Sequence, residues 1–180
     1  MSRIIIILLF AIPLNIFAQQ KLQFIGERID FAINKERFSI NGIYYFSNST
    51  ETEIKQTILF PFSKGADSLI VKRVFNLTYS ENLSFQYLNG SIAFKIIVLP
   101  KDTVKVNIAY SQMTNSENVY VLESTQTWGK ALKRADYSLE FEQSVQIDSL
   151  SLRPDSLINN VYYWKRQDFY PNENFKIWIK

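Results

Sequence analysis

Residues 104–111, VKVNIAYS, place Val104, Val106, Ile108 and Tyr110 on one side of an extended chain and Lys105, Asn107 and Ala109 on the other. A period of two is the signature of a strand with one buried face, and it recurs along this chain. In DYSLEFEQSV (136–145), Tyr137, Leu139, Phe141 and then Val145 point inward, while Ser138, Glu140 and Glu142 point outward. SIAFKIIVL (91–99) is apolar on both faces except at Ser91 and Lys95, the pattern of a strand covered on both sides. The final NFKIWI puts Phe175, Ile177 and Ile179 on one face. Helical spacing is confined to Trp128, Leu132 and Ala135, and Gly129 limits it to one turn or an irregular corner.

Turn chemistry separates these runs. Asn89-Gly90 is the strongest hairpin signal, and Asn48-Ser49-Thr50, Ser63-Lys64-Gly65 and Pro100-Lys101-Asp102 punctuate the rest. Short strands at such spacing predict an all-β fold, an antiparallel two-sheet β-sandwich of about 8–10 strands. The alternative is a β-barrel, including a small outer-membrane barrel. Against the barrel stand Lys180 in place of a terminal aromatic and the two-faced apolar run 91–99.

The start, MSRIIIILLFAIPLNIFAQQ, has a positive Arg3, an apolar run from Ile4 to Ala18 and a small residue at its end. It reads as a signal peptide over 1–18, shorter than a membrane span, followed by one domain over 19–180. The implied location is secreted or periplasmic, with the cell surface as a further site, and membrane contact is expected only through the signal peptide during export. No Cys is present, so neither a lipid-anchoring cysteine nor a disulfide is expected, and the core alone must hold the domain. The formal charge of +3, or +2 without Arg3, is spread in mixed signs, which argues against nucleic acid as a partner.

The chain also lacks His. That removes the commonest general base at neutral pH and the commonest zinc ligand, and no nucleophile elbow, phosphate loop or calcium loop is found. No cofactor, metal or catalytic residue is therefore expected, and a non-enzymatic role is the better reading. The competing enzyme reading is a hydrolase of carbohydrate or cell-wall polymer built on paired carboxylates. Its candidates, Glu51/Glu53 and Glu140/Glu142, read more simply as solvated outer faces of strands. Candidate ligand-binding aromatics are Trp128, Tyr163, Trp164 and Tyr170, with core packing as the alternative use of such rings. Trp128 is expected to cap one end of the sandwich, mostly buried, with its N–H hydrogen-bonded and Gly129 at positive φ.

Four of the seven Asp residues are followed by Ser or Thr and then an aliphatic residue, with the hydroxyls at Ser68, Thr103, Ser149 and Ser156. The pattern resembles the acceptor of a bacterial O-glycosylation system, and it equally suits turns preceding strands. Asn-x-Ser/Thr sequons at Asn48, Asn76, Asn82 and Asn89 are discounted, because the chain looks bacterial.

The run NGIYYFSNSTETEIKQTILFPF, the later VNIAYSQ and YVLESTQTWGKALKRADYSLEF, and the closing NFKIWI resemble a group of secreted bacterial all-β proteins with no assigned activity. A fainter likeness is to the non-catalytic N-terminal β-domain of zinc aminopeptidases, whose zinc-binding helix motif is absent here. Together these readings predict a binding or accessory module of the bacterial envelope. Its partner would be an envelope protein or a glycan, and an exposed strand edge offers one way to meet a protein.

Overall fold

The computed structural model describes residues 22–65 and 68–180. The signal peptide and its cleavage after Ala18 lie outside the described residues, as does Asp67 of the first glycosylation triplet. The strands, in chain order, are β1 (Gln23–Ile33), β2 (Arg37–Ser47), β3 (Ile54–Pro61), β4 (Ile70–Asn76), β5 (Glu81–Asn82), β6 (Phe85–Leu88), β7 (Ser91–Val98), β8 (Thr103–Met113), β9 (Glu117–Tyr120), β10 (Leu132–Phe141), β11 (Ile147–Leu150), β12 (Ser156–Ile158), β13 (Val161–Phe169) and β14 (Phe175–Ile179). Among the described residues one 3-10 helix, Glu123–Trp128, interrupts them.

Eight strands form one open sheet in the order β12-β13-β10-β1-β2-β8-β4-β5, with β1 and β10 parallel at its centre. Two further sheets have three strands each, β11-β14-β9 and β3-β7-β6. Both pack on the same face of the large sheet. Phe175 of β14 stacks on Phe31 of β1 at 4.8 Å, and Tyr120 of β9 meets Phe31 edge-on. Phe60 of β3 meets Tyr44 of β2 and Tyr110 of β8. The fold is therefore a sandwich whose second layer is split in two. Its edges stay open, so no closed barrel forms among the described residues. No helix among them is long and apolar enough to cross a membrane.

The alternating residues build the core as their period requires. Val104, Val106, Ile108, Tyr110, Tyr137 and Leu139 are all buried. Strands among the described residues number fourteen, more than the period predicts, because β5, β6, β9, β11 and β12 span only two to four residues, too few to show a period. β7 is central in its sheet but covered on one side only: Ile92, Phe94, Ile96 and Val98 are buried, while Ile97 is 45% exposed. Glu51 and Glu53 lie in the connection before β3, not within a strand, and pair with Lys101 and Lys55.

The turns fall where their chemistry places them. Gly90 closes the β6–β7 hairpin at φ 70°. After β2, the Asn48 side chain donates to the carbonyls of Thr52, Val98 and Leu99 and accepts from the N–H of Thr50. Asn48 and Asn76 are fully buried, which is incompatible with glycans at those two sequons in the folded chain.

Candidate functional site

One face of the large sheet is covered by the two small sheets, and the opposite face is open. It forms a concave groove of about 970 Å³. Strands β1, β2, β10 and β13 supply its floor through the residues that alternate with the core set. The parallel register sets Arg28 opposite Asp136 and Asp30 opposite Ser138. Arg28 pairs with Asp30 at 3.7 Å, Arg134 pairs with Asp136, and the Ser138 hydroxyl donates to Asp30 at 2.8 Å. Beside them Asn107 is buried, donates to Asn41 and to the Gly42 carbonyl at 2.8 Å each, and accepts from Arg73. The result is a mixed-charge surface whose polar side chains are held in place before any ligand arrives. Solvated pairs of this kind add little to stability.

A second site lies on the covered side, beneath the seam between the two small sheets. In β1 the ladder slips between Phe24 and Gly26, a β-bulge. The slip puts Glu27 on the inward set with Ile29, Phe31 and Ile33. Glu27 is 3% exposed, and its carboxylate accepts from Tyr137 at 2.6 Å and from Tyr120 at 3.1 Å. The Tyr44 and Tyr120 hydroxyls are 3.1 Å apart, so Tyr44 donates to the oxygen that in turn donates to Glu27. Two glycines make room for this network. A Cβ on Gly26 would stand 2.7 Å from the Arg134 carbonyl oxygen, and one on Gly42 would stand 2.6 Å from the Tyr44 ring.

Among the described residues no cation pairs with this carboxyl. Burial pushes its pKa up to about 7, against the opposing pull of the hydrogen bonds from Tyr137 and Tyr120. Burial likewise raises the hydroxyls of Tyr44, Tyr110, Tyr120 and Tyr137, and the nearby Glu27 charge adds to the shift in each. All four stay protonated across the physiological range. In a chain without His, Glu27 is a group poised to change charge near neutrality.

The aromatic candidates do not converge on one site. Tyr163 lines the open groove, 37% exposed. Trp164, its neighbour on the opposite face of β13, is 1% exposed, meets Phe175 edge-on and donates its N–H to the Leu152 carbonyl at 3.0 Å. Its ring packs in the core, so the residue borders the groove without presenting its indole to solvent. Tyr170 is exposed beyond the end of β13 and lines neither site. Trp128 ends the 3-10 helix, and Gly129 follows at φ 69°, as its position requires. The Trp128 ring packs on Phe24 and Phe46 but is only half-buried, and its N–H finds no partner among the described residues. It covers the seam less completely than a cap would.

Glu140 and Glu142 are exposed, Glu140 on the rim of the groove and Glu142 just past β10. Among the described residues no group of three acidic side chains could hold a metal ion. Of the four glycosylation hydroxyls, those of Ser149 and Ser156 sit on exposed positions of the edge strands β11 and β12, and Ser68 is exposed in the β3–β4 connection. Thr103 is half-buried, its N–H bonded to the Asp102 carboxylate.

Sequence reading missed Glu27 and its tyrosines. The signal was present: in ERIDFAI, Glu27 shares the phase of Ile29, Phe31 and Ile33, and a carboxyl on an otherwise apolar phase is a buried charge in need of a reason.

No family model matches the chain, and no curated protein matches it in sequence. Solved structures do match. A candidate nutrient binding protein from Legionella pneumophila aligns with a TM-score of 0.63 at 13% identity, over 88% of this chain and 66% of that one. An M1 zinc metallopeptidase from Deinococcus radiodurans aligns at 0.54 and 8% identity, over 89% of this chain and 43% of that one. Leukotriene A4 hydrolase from Saccharomyces cerevisiae aligns at 0.53 and 13% identity, over 88% and 29%. The chain thus spans just under two thirds of the first structure and under half of the two enzymes. At these identities the likeness is one of fold, and it agrees with the faint resemblance to zinc aminopeptidases.

Proposed function

We propose that this chain is a non-enzymatic binding or accessory module of the bacterial envelope. It would be exported on the leader 1–18 and would act as a single β-sandwich domain over 19–180, in the periplasm, at the cell surface or outside the cell. The observation that carries this reading is the open groove, a large concave face whose charged side chains are pre-ordered around Asp30, Arg28, Arg134 and Asp136. Paired guanidinium and carboxylate groups beside an exposed tyrosine suit a ligand rich in hydroxyls or amides, hence an envelope glycan or protein. The shared fold with a candidate nutrient binding protein supports a binding role.

The test is a binding titration of the mature chain against a panel of envelope glycans and purified envelope proteins. Asp136→Ala and Tyr163→Ala should each weaken the bound ligand about tenfold while leaving the thermal midpoint within a few degrees, since Tyr163 is exposed and Asp136 is half-buried in a surface ion pair that adds little to stability. The hydrolase alternative would win if the chain degraded a cell-wall polymer and Glu140→Gln with Glu142→Gln abolished that activity in a folded protein.

Glycan attachment at Ser68, Ser149 and Ser156 belongs to the same reading, and Thr103 is the poorest acceptor because its side chain is half-buried. Intact mass spectrometry of protein secreted by the native host should show additions lost stepwise in Ser68→Ala, Ser149→Ala and Ser156→Ala. A mass equal to the bare chain ends the idea.

A further inference from the structure

The seam between the small sheets is not fully closed. A cleft of about 70 Å³ lies there, with Trp128 and Thr127 at its mouth and Glu27 at its buried end. Its walls are the rings of Phe24, Tyr44, Phe46, Phe60 and Trp128. No Lys or Arg lines it, and Glu27 takes part in none of the ion pairs among the described residues.

A buried carboxyl with no counter-ion is costly, and core packing alone would be better served by an apolar side chain. Aromatic faces present negative potential and attract cations, most strongly where water is excluded. A carboxyl at the end of an aromatic-walled cleft therefore has the donor set that holds an organic ammonium group. Size narrows the class. A dry cavity of roughly 150 Å³ accepts benzene; this one is about half as large and suits an ammonium head bearing a few carbons, not a sugar ring or a nucleotide.

We propose that the seam cleft binds the ammonium head of a small amine, with Glu27 as its counter-ion and Trp128 at the entrance. Glu27, protonated in a large fraction of molecules near neutrality, would ionise as the cation enters and release its proton to solvent. Tyr120 and Tyr137 would continue to donate to the carboxylate, and Tyr44 would remain behind Tyr120. The open groove lies on the other side of the large sheet, so this site stands or falls separately from the function proposed for that face.

The experiment uses the mature chain and calorimetric titration with ethylammonium and tetramethylammonium chloride, against sodium chloride at matched ionic strength. Two buffers of different ionisation heat at pH 6.5 count the protons released. Saturable binding of at least one of the two ammonium ions with proton release is expected. Glu27→Gln should weaken it at least tenfold and abolish the release, and Trp128→Leu should weaken it several-fold. Heats equal to those of sodium chloride, or unchanged affinity in a folded Glu27→Gln, would overturn the proposal. Should Glu27→Gln fail to fold, the proton count of the unaltered chain and the affinity of Trp128→Leu decide the matter: binding without proton release, or unaffected by the loss of the indole, also refutes it.

Discussion

Glu27→Gln is expected to raise the stability of the domain at pH 8 by about 3 kcal/mol and to flatten its pH dependence between pH 4.5 and 7. The sign follows from which state holds the proton. In the unfolded chain Glu27 titrates near 4.5, and in the folded chain near 7. Below 4.5 both states are protonated and the group contributes no pH dependence. Between the two values the folded state keeps a proton that the unfolded state has lost, so stability falls by roughly 1.4 kcal/mol for each pH unit. Above 7 both states are ionised, and the folded state carries the whole penalty of a buried carboxylate. A Gln of the same shape has no such penalty, and its amide oxygen can still accept from a tyrosine. Asp155 does not confuse the window. Its pKa is lowered by the Lys165 backbone N–H and by Arg166, so its contribution is lost only as pH falls below the ordinary Asp range. Urea unfolding of both proteins at pH 5 and pH 8 makes the measurement. Parallel pH trends in the two would mean that Glu27 is not the titrating group.

Of that expectation the sequence carries only the inward phase of Glu27, not the partners of its carboxyl, and the reason is physical. The alternation that places Val104, Val106, Ile108, Tyr110, Tyr137 and Leu139 in the core is a local property, readable from residues two apart. The all-β class and the turns at Asn48, Asn89-Gly90 and Lys101 follow from the same local information. The split of the second layer does not, because it depends on which strands find each other across the chain. Tyr120 is 93 residues from Glu27, and Tyr137 is 110 residues from it. Only the parallel pairing of β1 with β10 brings Arg28 and Asp30 beside Asp136 and Ser138. The tyrosines looked like ordinary core residues, and their bodies are; what periodicity leaves out is where each hydroxyl ends. Tyr163 and Trp164 show the same limit from the other side. Their opposite faces were legible, and the structure places the tyrosine in the groove and the tryptophan in the core.

Gly26→Ala should cost about 3 kcal/mol or more, far beyond its one added methyl group. Its Cβ would stand 2.7 Å from the carbonyl oxygen of Arg134, which is backbone in the neighbouring parallel strand and cannot rotate away. Relief requires β1 and β10 to separate or the bulge at Phe24–Gly26 to move along the strand. Either change alters what both faces present. A shifted bulge would rotate Glu27 out of the inward phase, because one residue of slip exchanges the two faces of a strand. The Tyr137 bond to Glu27 would be lost with it, and the register that sets Arg28 opposite Asp136 would loosen. Gly90→Ala is the control: its Cβ would meet nothing within 4 Å, so only the positive φ opposes it, at roughly 1 kcal/mol. Denaturant midpoints of the two variants make the comparison, and equal midpoints would refute the close-approach argument. A Gly26→Ala protein that folds by shifting the bulge should also lose the fall in stability between pH 4.5 and 7, because its carboxyl would have left the core. The seam cleft and the open groove thus depend on one glycine, through the same pair of central strands.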